Sequence, residues 1–252
     1  MTKPFPTREI LGAPISVCKR EEAIACLIDR LARRETTKVA FANSNLLIEL
    51  GKAPEGAKLV EGFLVFNDGL ALDIASKMLH GAPFPDNVNG SDLTPALVAA
   101  APQETRVFLF GAKPGVAVKA GEVLAGRFGT TICGTLDGYA GTADESAAIH
   151  TIREAAPDIL LVALGNPRQE RWIAAHAGET GAVLTMGIGA LLDYLTDTVR
   201  RAPLAVQRLR LEWLWRVAME PRRLGKRYTI DLARFLWRVR AEARTRRREG
   251  SR

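Results

Sequence analysis

The chain has 252 residues, 47% of them hydrophobic and 25% charged, with a formal net charge of +7. That length can bury a sizeable core, as one large domain or one domain plus an appendage, and the composition is ordinary for a soluble globular protein. No apolar run reaches the roughly 18 residues of a spanning helix, and no apolar stretch follows Met1-Thr2-Lys3-Pro4, so neither a membrane span nor a secretory signal is expected.

In chain order, Ile10–Val17 reads as a strand or hairpin and Arg20–Arg33 as an amphipathic helix. Short apolar runs then mark strands at Lys38–Ala42, Phe63–Asn67, Arg106–Phe110, Thr131–Cys133, Ile159–Leu164 and Val183–Met186. Helical patterns fall between them at Asn45–Leu50, Leu70–Leu79, Asp92–Ala100, Gly115–Arg127, Asp144–Ala155 and Gln169–His176. Nearly continuous apolar strands alternating with helices predict an α/β fold, a Rossmann-like doubly wound and mostly parallel sheet. After Ala202-Pro203 the pattern is wholly helical, at Leu211–Met219 and about Tyr228–Arg244. In the latter, Leu232, Phe235, Leu236, Val239 and Ala243 form one stripe, and Asp231, Arg234, Arg238 and Glu242 the opposite one. Charge divides at the same place. Residues 199–252 hold 17 Lys+Arg against 5 Asp+Glu, a net of +12, which leaves −5 on residues 1–198. The expected organisation is a Rossmann-like domain over 1–198 and a basic amphipathic helical appendage over 199–252, frayed over the last eight residues.

Cys18, Cys26 and Cys133 lack C-x-x-C spacing and read as reduced thiols of a cytoplasmic protein. His80, His150 and His176 are scattered, so no metal site is expected. Neither G-x-G-x-x-G nor a Walker A loop occurs, which gives no support to a nicotinamide cofactor or to ATP hydrolysis. No Asp-x-Asp triplet is present to hold a divalent ion on a diphosphate. No cofactor is expected.

Polar residues recur where strands should end, the edge at which open α/β sheets bind ligands. Asp68, in Phe66-Asn67-Asp68-Gly69, fits a general base, but Asp before a helix is also an ordinary N-cap. Asn43, in Asn43-Ser44-Asn45, suits a sugar hydroxyl or a cap. Asn87, Asn89 and Asp92 lie in a polar loop that can meet a sugar or phosphate, with Ser91 or Asp92 also suited to capping. Gly111, in Phe110-Gly111-Ala112-Lys113-Pro114, offers backbone N–H groups to a phosphate or ribose. Tyr139 can stack on a base or cover the sheet edge. Gly187, in Gly187-Ile188-Gly189, allows close approach of a ligand or tight packing. The longest signal is Pro157-Asp158 through Gly165-Asn166-Pro167-Arg168-Gln169-Glu170, a buried strand, a Gly turn and a polar helix start that includes Gln169.

The basic segment interleaves arginines with Trp213, Trp215, Tyr228, Phe235 and Trp237. That pattern suits an anionic bilayer surface, single-stranded RNA, or simple packing on the body. The acidic body argues against a wide nucleic-acid footprint. These residues alone leave open a Rossmann-like RNA- or nucleotide-binding protein without catalysis.

In order, Asn67-Asp68-Gly69, Asn89-Gly90-Ser91-Asp92-Leu93, Phe110-Gly111-Ala112, Gly138-Tyr139, Gly165-Asn166-Pro167-Arg168-Gln169-Glu170, Gly187-Ile188-Gly189, Arg201-Ala202-Pro203, Leu211-Glu212-Trp213 and Glu220-Pro221-Arg222 resemble the WecG/TagA/CpsF glycosyltransferase family. The resemblance implies an inverting, metal-independent transfer of a hexose or N-acetylhexosamine from a UDP-sugar to a polyprenyl-diphosphate-linked sugar. It places the protein at the inner face of the cell membrane as a peripheral enzyme of cell-surface polysaccharide synthesis, with the appendage on the anionic surface and no nucleic-acid partner. By the same resemblance Asp68 is the general base, Asn43 and Gln169 line the pocket, and Arg216, Arg222 and Arg223 meet the diphosphate. Two positions depart from the teichoic-acid and enterobacterial-antigen members: Phe41 stands for Thr and Asn87 for Arg. The Asn-x-Asn-Gly form is closer to exopolysaccharide members such as the xanthan glucosyltransferase. Asp197 and Arg210 stand where glycine is usual. The sequence leaves a homo-oligomer open.

Overall fold

Two strands, β1 Thr7–Ile10 and β2 Ala13–Ser16, form an antiparallel hairpin whose two-residue turn, Leu11-Gly12, has φ of +51° and +81°. Positive φ at both positions is what matches a tight hairpin to right-handed strand twist, and Gly12 adopts it freely. The structure, a computed structural model, describes residues 4–53, 55–199, 202, 203, 206, 212–219 and 230–249. After the hairpin come α1 Arg20–Ala32, β3 Thr37–Ala42, α2 Ser44–Leu50, β4 Phe63–Asn67, α3 Leu70–His80 and α4 Gly90–Ala100. Then follow β5 Arg106–Gly111, α5 Val116–Phe128, β6 Thr131–Leu136, α6 Gly138–Ala143, α7 Glu145–Glu154, β7 Ile159–Ala163, α8 Arg168–His176, β8 Leu184–Gly187 and α9 Leu191–Leu195. Two further helices span Glu212–Met219 and Leu232–Glu249.

β3 to β8 make one six-stranded sheet in the order β4-β3-β8-β7-β5-β6, parallel throughout. Alternate residues of each strand enter two different cores. Val39, Phe41, Leu64, Phe66, Val107, Leu109, Ile159 and Leu161 pack with residues of α1, α4, α5 and α9. Ala40, Ala42, Phe63, Val65, Phe108, Phe110, Leu160 and Val162 pack with residues of α2, α3 and α8. Both faces of the sheet are covered, so the central strands carry nearly continuous apolar runs, such as Ile159 to Ala163, and not an apolar residue at every second position.

Most expected elements are present, with boundaries shifted by a few residues. β6 runs past its expected end to Leu136 through Gly134, where a Cβ would sit 2.4 Å from the ring of Phe108. The short α6 and α9 were not legible, since neither is long enough to display a helical period. Asn89 caps α4, with Oδ1 accepting from the Asp92 N–H at 2.9 Å, so neither Ser91 nor Asp92 is the cap. Asp197 has φ +52°, the left-handed conformation a glycine would occupy and one that Asp tolerates.

Of the three readings open to the basic segment, the C-terminal helix takes packing on the body for its apolar face. Leu232–Glu249 packs on α2 and α3, and Phe235 and Val239, both 0% exposed, complete the core around Ile10, Leu46 and Phe63. Glu242 Oε2 accepts the N–H of Leu11 at 3.0 Å, and Arg246 donates to the carbonyl of Glu9 at 3.2 Å. The apolar stripe read from the sequence is therefore spent on the body. The helix is continuous to Glu249, which corrects the expectation of fraying over 245–249. Residues 250–252 lie outside the described residues.

Candidate active site

Every strand of the sheet ends in a loop that borders one cavity of about 810 Å³. Across the sheet the lining runs from Asp68 after β4, through Asn43 after β3, Gly187 and Asp193 after β8, and Arg168 and Gln169 after β7. It continues to Lys113 after β5 and ends at Tyr139 after β6. Crevices at the carboxyl ends of parallel strands form where neighbouring connections leave in opposite directions. Here the connection after β5 leads outward to β6, while that after β7 leads inward to β8.

Asp68 is set by backbone and side chain together. Its N–H donates to the carbonyl of Ala42 at 2.8 Å, which ties β4 to β3 beyond the last strand pair. Asn43 Nδ2 donates to Asp68 Oδ2 at 3.3 Å, while Asn43 Oδ1 caps α2 by accepting from the Leu46 N–H at 3.1 Å. The two readings of Asn43 are thus not exclusive, because one side chain does both. For Asp68 the capping reading fails: α3 begins after Gly69, whose φ is +95°, with no side-chain cap. The Gly69 N–H donates instead to Asn87 Oδ1 at 2.8 Å, which draws the loop before α4 to the cavity. Asn89 lines the wall as well, though its amide is engaged with Asp92, Nδ2 to Oδ2 at 2.8 Å.

Gln169, 1% exposed, is built into the opposite wall. Its Oε1 accepts from the N–H of Gly165 at 3.2 Å and of Gly189 at 3.1 Å. Its Nε2 donates to Asn166 Oδ1 at 3.1 Å and Glu170 Oε1 at 2.8 Å. Both donors and both acceptor positions of the amide are occupied. Gln169 therefore clasps the loops after β7 and β8 together. Gly187 is glycine for the same reason, since a Cβ would lie 2.9 Å from Gln169 Nε2.

Glu170 lies behind this clasp, 0% exposed, with Oε2 lacking a hydrogen-bond partner. Burial pushes its carboxyl from 4.5 up to about 7, against the opposing pull of the Gln169 amide. A carboxyl whose folded pKa is raised contributes stability fully below its unfolded value and loses that contribution as pH climbs through the folded one. From about pH 4.5 to about pH 7 the contribution lost is at most about 3 kcal/mol. Glu170→Gln keeps an acceptor for Gln169 without a charge. It is expected to match the wild type near pH 5 and to exceed it near pH 8 in urea unfolding. Parallel stability–pH curves for the two proteins would contradict this.

Two expected ligand residues do not line the cavity. Gly111 is a packing glycine, with φ +124° and a Cβ position 2.5 Å from the Ala163 carbonyl, so only glycine lets β5 close on β7 there. Asp92 is held by Asn89 and lies 3.8 Å from Arg20. Arg222, Arg223 and the side chain of Arg216 lie outside the described residues. Lys113, Arg168 and Tyr194 also line the cavity, as does Asp193, one turn beyond Gly187-Ile188-Gly189. Lys113 and Arg168 stood inside quoted motifs, which was the available signal. Leu232 and Leu236 of the C-terminal helix also border the cavity, so the last helix both closes a core and forms a wall.

Among the described residues no group of three His, Cys, Asp or Glu is arranged to hold a metal ion, and no helix is long and apolar enough to cross a membrane. The carboxyl-edge cavity, the Asp68–Asn43 pair and the Gln169 clasp are built by segments spread from Phe41 to Leu236. A model of the glycosyl transferase WecG/TagA/CpsF family matches the chain over residues 8–249, and the protein belongs to that glycosyltransferase family.

Proposed function

We propose that the protein transfers a hexose or N-acetylhexosamine from a UDP-sugar to a sugar carried on a polyprenyl diphosphate, with inversion and without a metal ion. The observation that carries this reading is Asp68 at the cavity wall, oriented by Asn43 and not consumed in capping α3. In a single displacement, Asp68 accepts the proton of the acceptor hydroxyl as its oxygen bonds to the anomeric carbon. The bond from that carbon to the UDP oxygen breaks, and its electron pair leaves on the diphosphate. The missing Asp-x-Asp triplet is the sequence feature behind a metal-independent reaction, with cationic side chains taking the developing charge. Arg216, Arg222 and Arg223 are the candidates from the basic segment.

We infer a peripheral position at the inner membrane face. Residues 199–252 carry net +12, and Trp237 is 71% exposed on a helix whose opposite face is buried. Anionic lipid attracts such a surface by about 1 kcal/mol per cation close to it. The experiment is a panel of UDP-sugars offered with short-chain polyprenyl-diphosphate sugars. One donor is expected to give a glycosylated lipid, and no product from any combination would reject the reading.

A further inference from the structure

Every described residue that α3 and the C-terminal helix give to the cavity lining is apolar. From α3 these are Leu70, Ala71 and Ile74, and from the C-terminal helix Leu232 and Leu236. One turn beyond Ile74, Met78 meets Arg240, Ala243, Arg244 and Arg247 at a second hollow of about 200 Å³. Early residues of both helices thus meet at the cavity and later ones at the hollow, so the two packed helices run side by side in the same direction. Residues four apart share a helix face, so Leu70, Ile74 and Met78 make one stripe and Leu232 and Leu236 another. The two stripes line a groove that leads from the cavity to the hollow, about 12 Å from Leu70 to Met78 at the helical rise. Ile74 is 39% exposed, and Leu70, Met78, Leu232 and Leu236 are half-buried. An open apolar strip joined to a ligand cavity marks a binding groove.

We propose that this groove holds the first isoprene units of the acceptor's polyprenyl chain. This rests on the lipid-linked acceptor reading above. The groove starts where the acceptor reacts, because Leu70 follows Asp68 and Gly69 directly. None of its cavity residues offers a hydrogen bond from the side chain, so the occupant is a hydrocarbon. A peptide or a second copy of the chain would also cover apolar residues, but neither has to begin at the reacting carboxylate, as the tail of a bound acceptor does. The far end suits a lipid as well. Arg240, Arg244 and Arg247 are exposed and line the hollow with Met78 and Ala243. Arginine stems lie along apolar surface while their guanidinium groups stay in water. At a bilayer those groups meet anionic headgroups, and the chain passes between them into the acyl region.

The test is steady-state transfer by the full-length chain to a pair of acceptors that carry the same diphosphate sugar, one on a farnesyl and one on a methyl group. Both are used as monomers, below any micelle concentration, so partition into an aggregate does not contribute. The wild type is expected to show a KM for the farnesyl acceptor about ten-fold or more below that for the methyl one, since burial of a few methylenes is worth that much. Ile74→Asp should bring the ratio of the KM values close to one, and Ile74→Leu should keep it. The ratio cancels any effect on the diphosphate sugar that both acceptors share. Ile74 is exposed, so the fold survives these changes, and Ile74→Thr, which should lower the ratio too, repeats the test without a charge. Equal KM values in the wild type, or an unchanged ratio in Ile74→Asp, would overturn the groove and leave the lipid-linked acceptor reading standing. A wild type that uses neither acceptor with any UDP-sugar overturns that reading and the groove with it.

Discussion

Asp68→Asn is expected to lower the transfer rate by about 10²–10⁴-fold, the usual worth of a positioned general base. Asn keeps the shape and the polar contact with Asn43 but cannot take the acceptor proton. Ground-state binding of UDP does not need that proton transfer, so UDP affinity should stay within about two-fold of the wild type. The pattern to look for is a large fall in kcat with little change in donor binding, which marks an interaction made in the transition state. The backbone anchor of Asp68 to Ala42 is untouched, so the variant should unfold with the wild type. Wild-type turnover by a folded Asp68→Asn protein would remove Asp68 from the chemistry.

Phe235→Ala is expected to cost about 3–5 kcal/mol, the range for truncating a buried aromatic residue. Phe235 is 0% exposed, although it comes from the basic end of the chain, and it packs with Ile10, Leu46 and Phe63. A domain's total stability is about 5–15 kcal/mol, so a large share would go. The melting temperature should fall by about 10 °C. Leu232, one turn before Phe235, and Leu236, the residue after it, border the cavity, so donor binding should weaken with it. A variant within about 1 kcal/mol of the wild type would show that the helix docks loosely. Deleting residues 199–252 would strip Phe235 and Val239 from the core. Membrane recruitment is therefore better probed at Trp237, which is exposed, than by truncation.

The strand pattern was legible because a fully covered parallel sheet leaves uninterrupted apolar runs such as Ile159 to Ala163. The cavity's place was legible because strand ends carried Asn43, Asp68 and Gln169, and ligands gather at that edge of such sheets. What each residue does there was less so. Gln169 reads as a ligand residue in sequence, yet its amide is engaged by Gly165, Gly189, Asn166 and Glu170. Gly111 reads as a phosphate turn, yet its missing Cβ makes room for the Ala163 carbonyl. Such assignments depend on pairing between strands far apart in the chain, which local spacing does not encode. The Leu232-to-Ala243 stripe showed correctly that a face is buried. It did not show against what, because an amphipathic helix has the same pattern on a bilayer and on a protein.

The most direct test of the central claim is transfer by the purified chain. Wild type and Asp68→Asn would be compared side by side with the active UDP-sugar and a polyprenyl-diphosphate sugar, and the anomeric configuration of the product read by NMR. The account predicts a product of inverted configuration from the wild type and almost none from the variant, with both proteins binding UDP. A product of retained configuration, or equal yields from the two proteins, would contradict it.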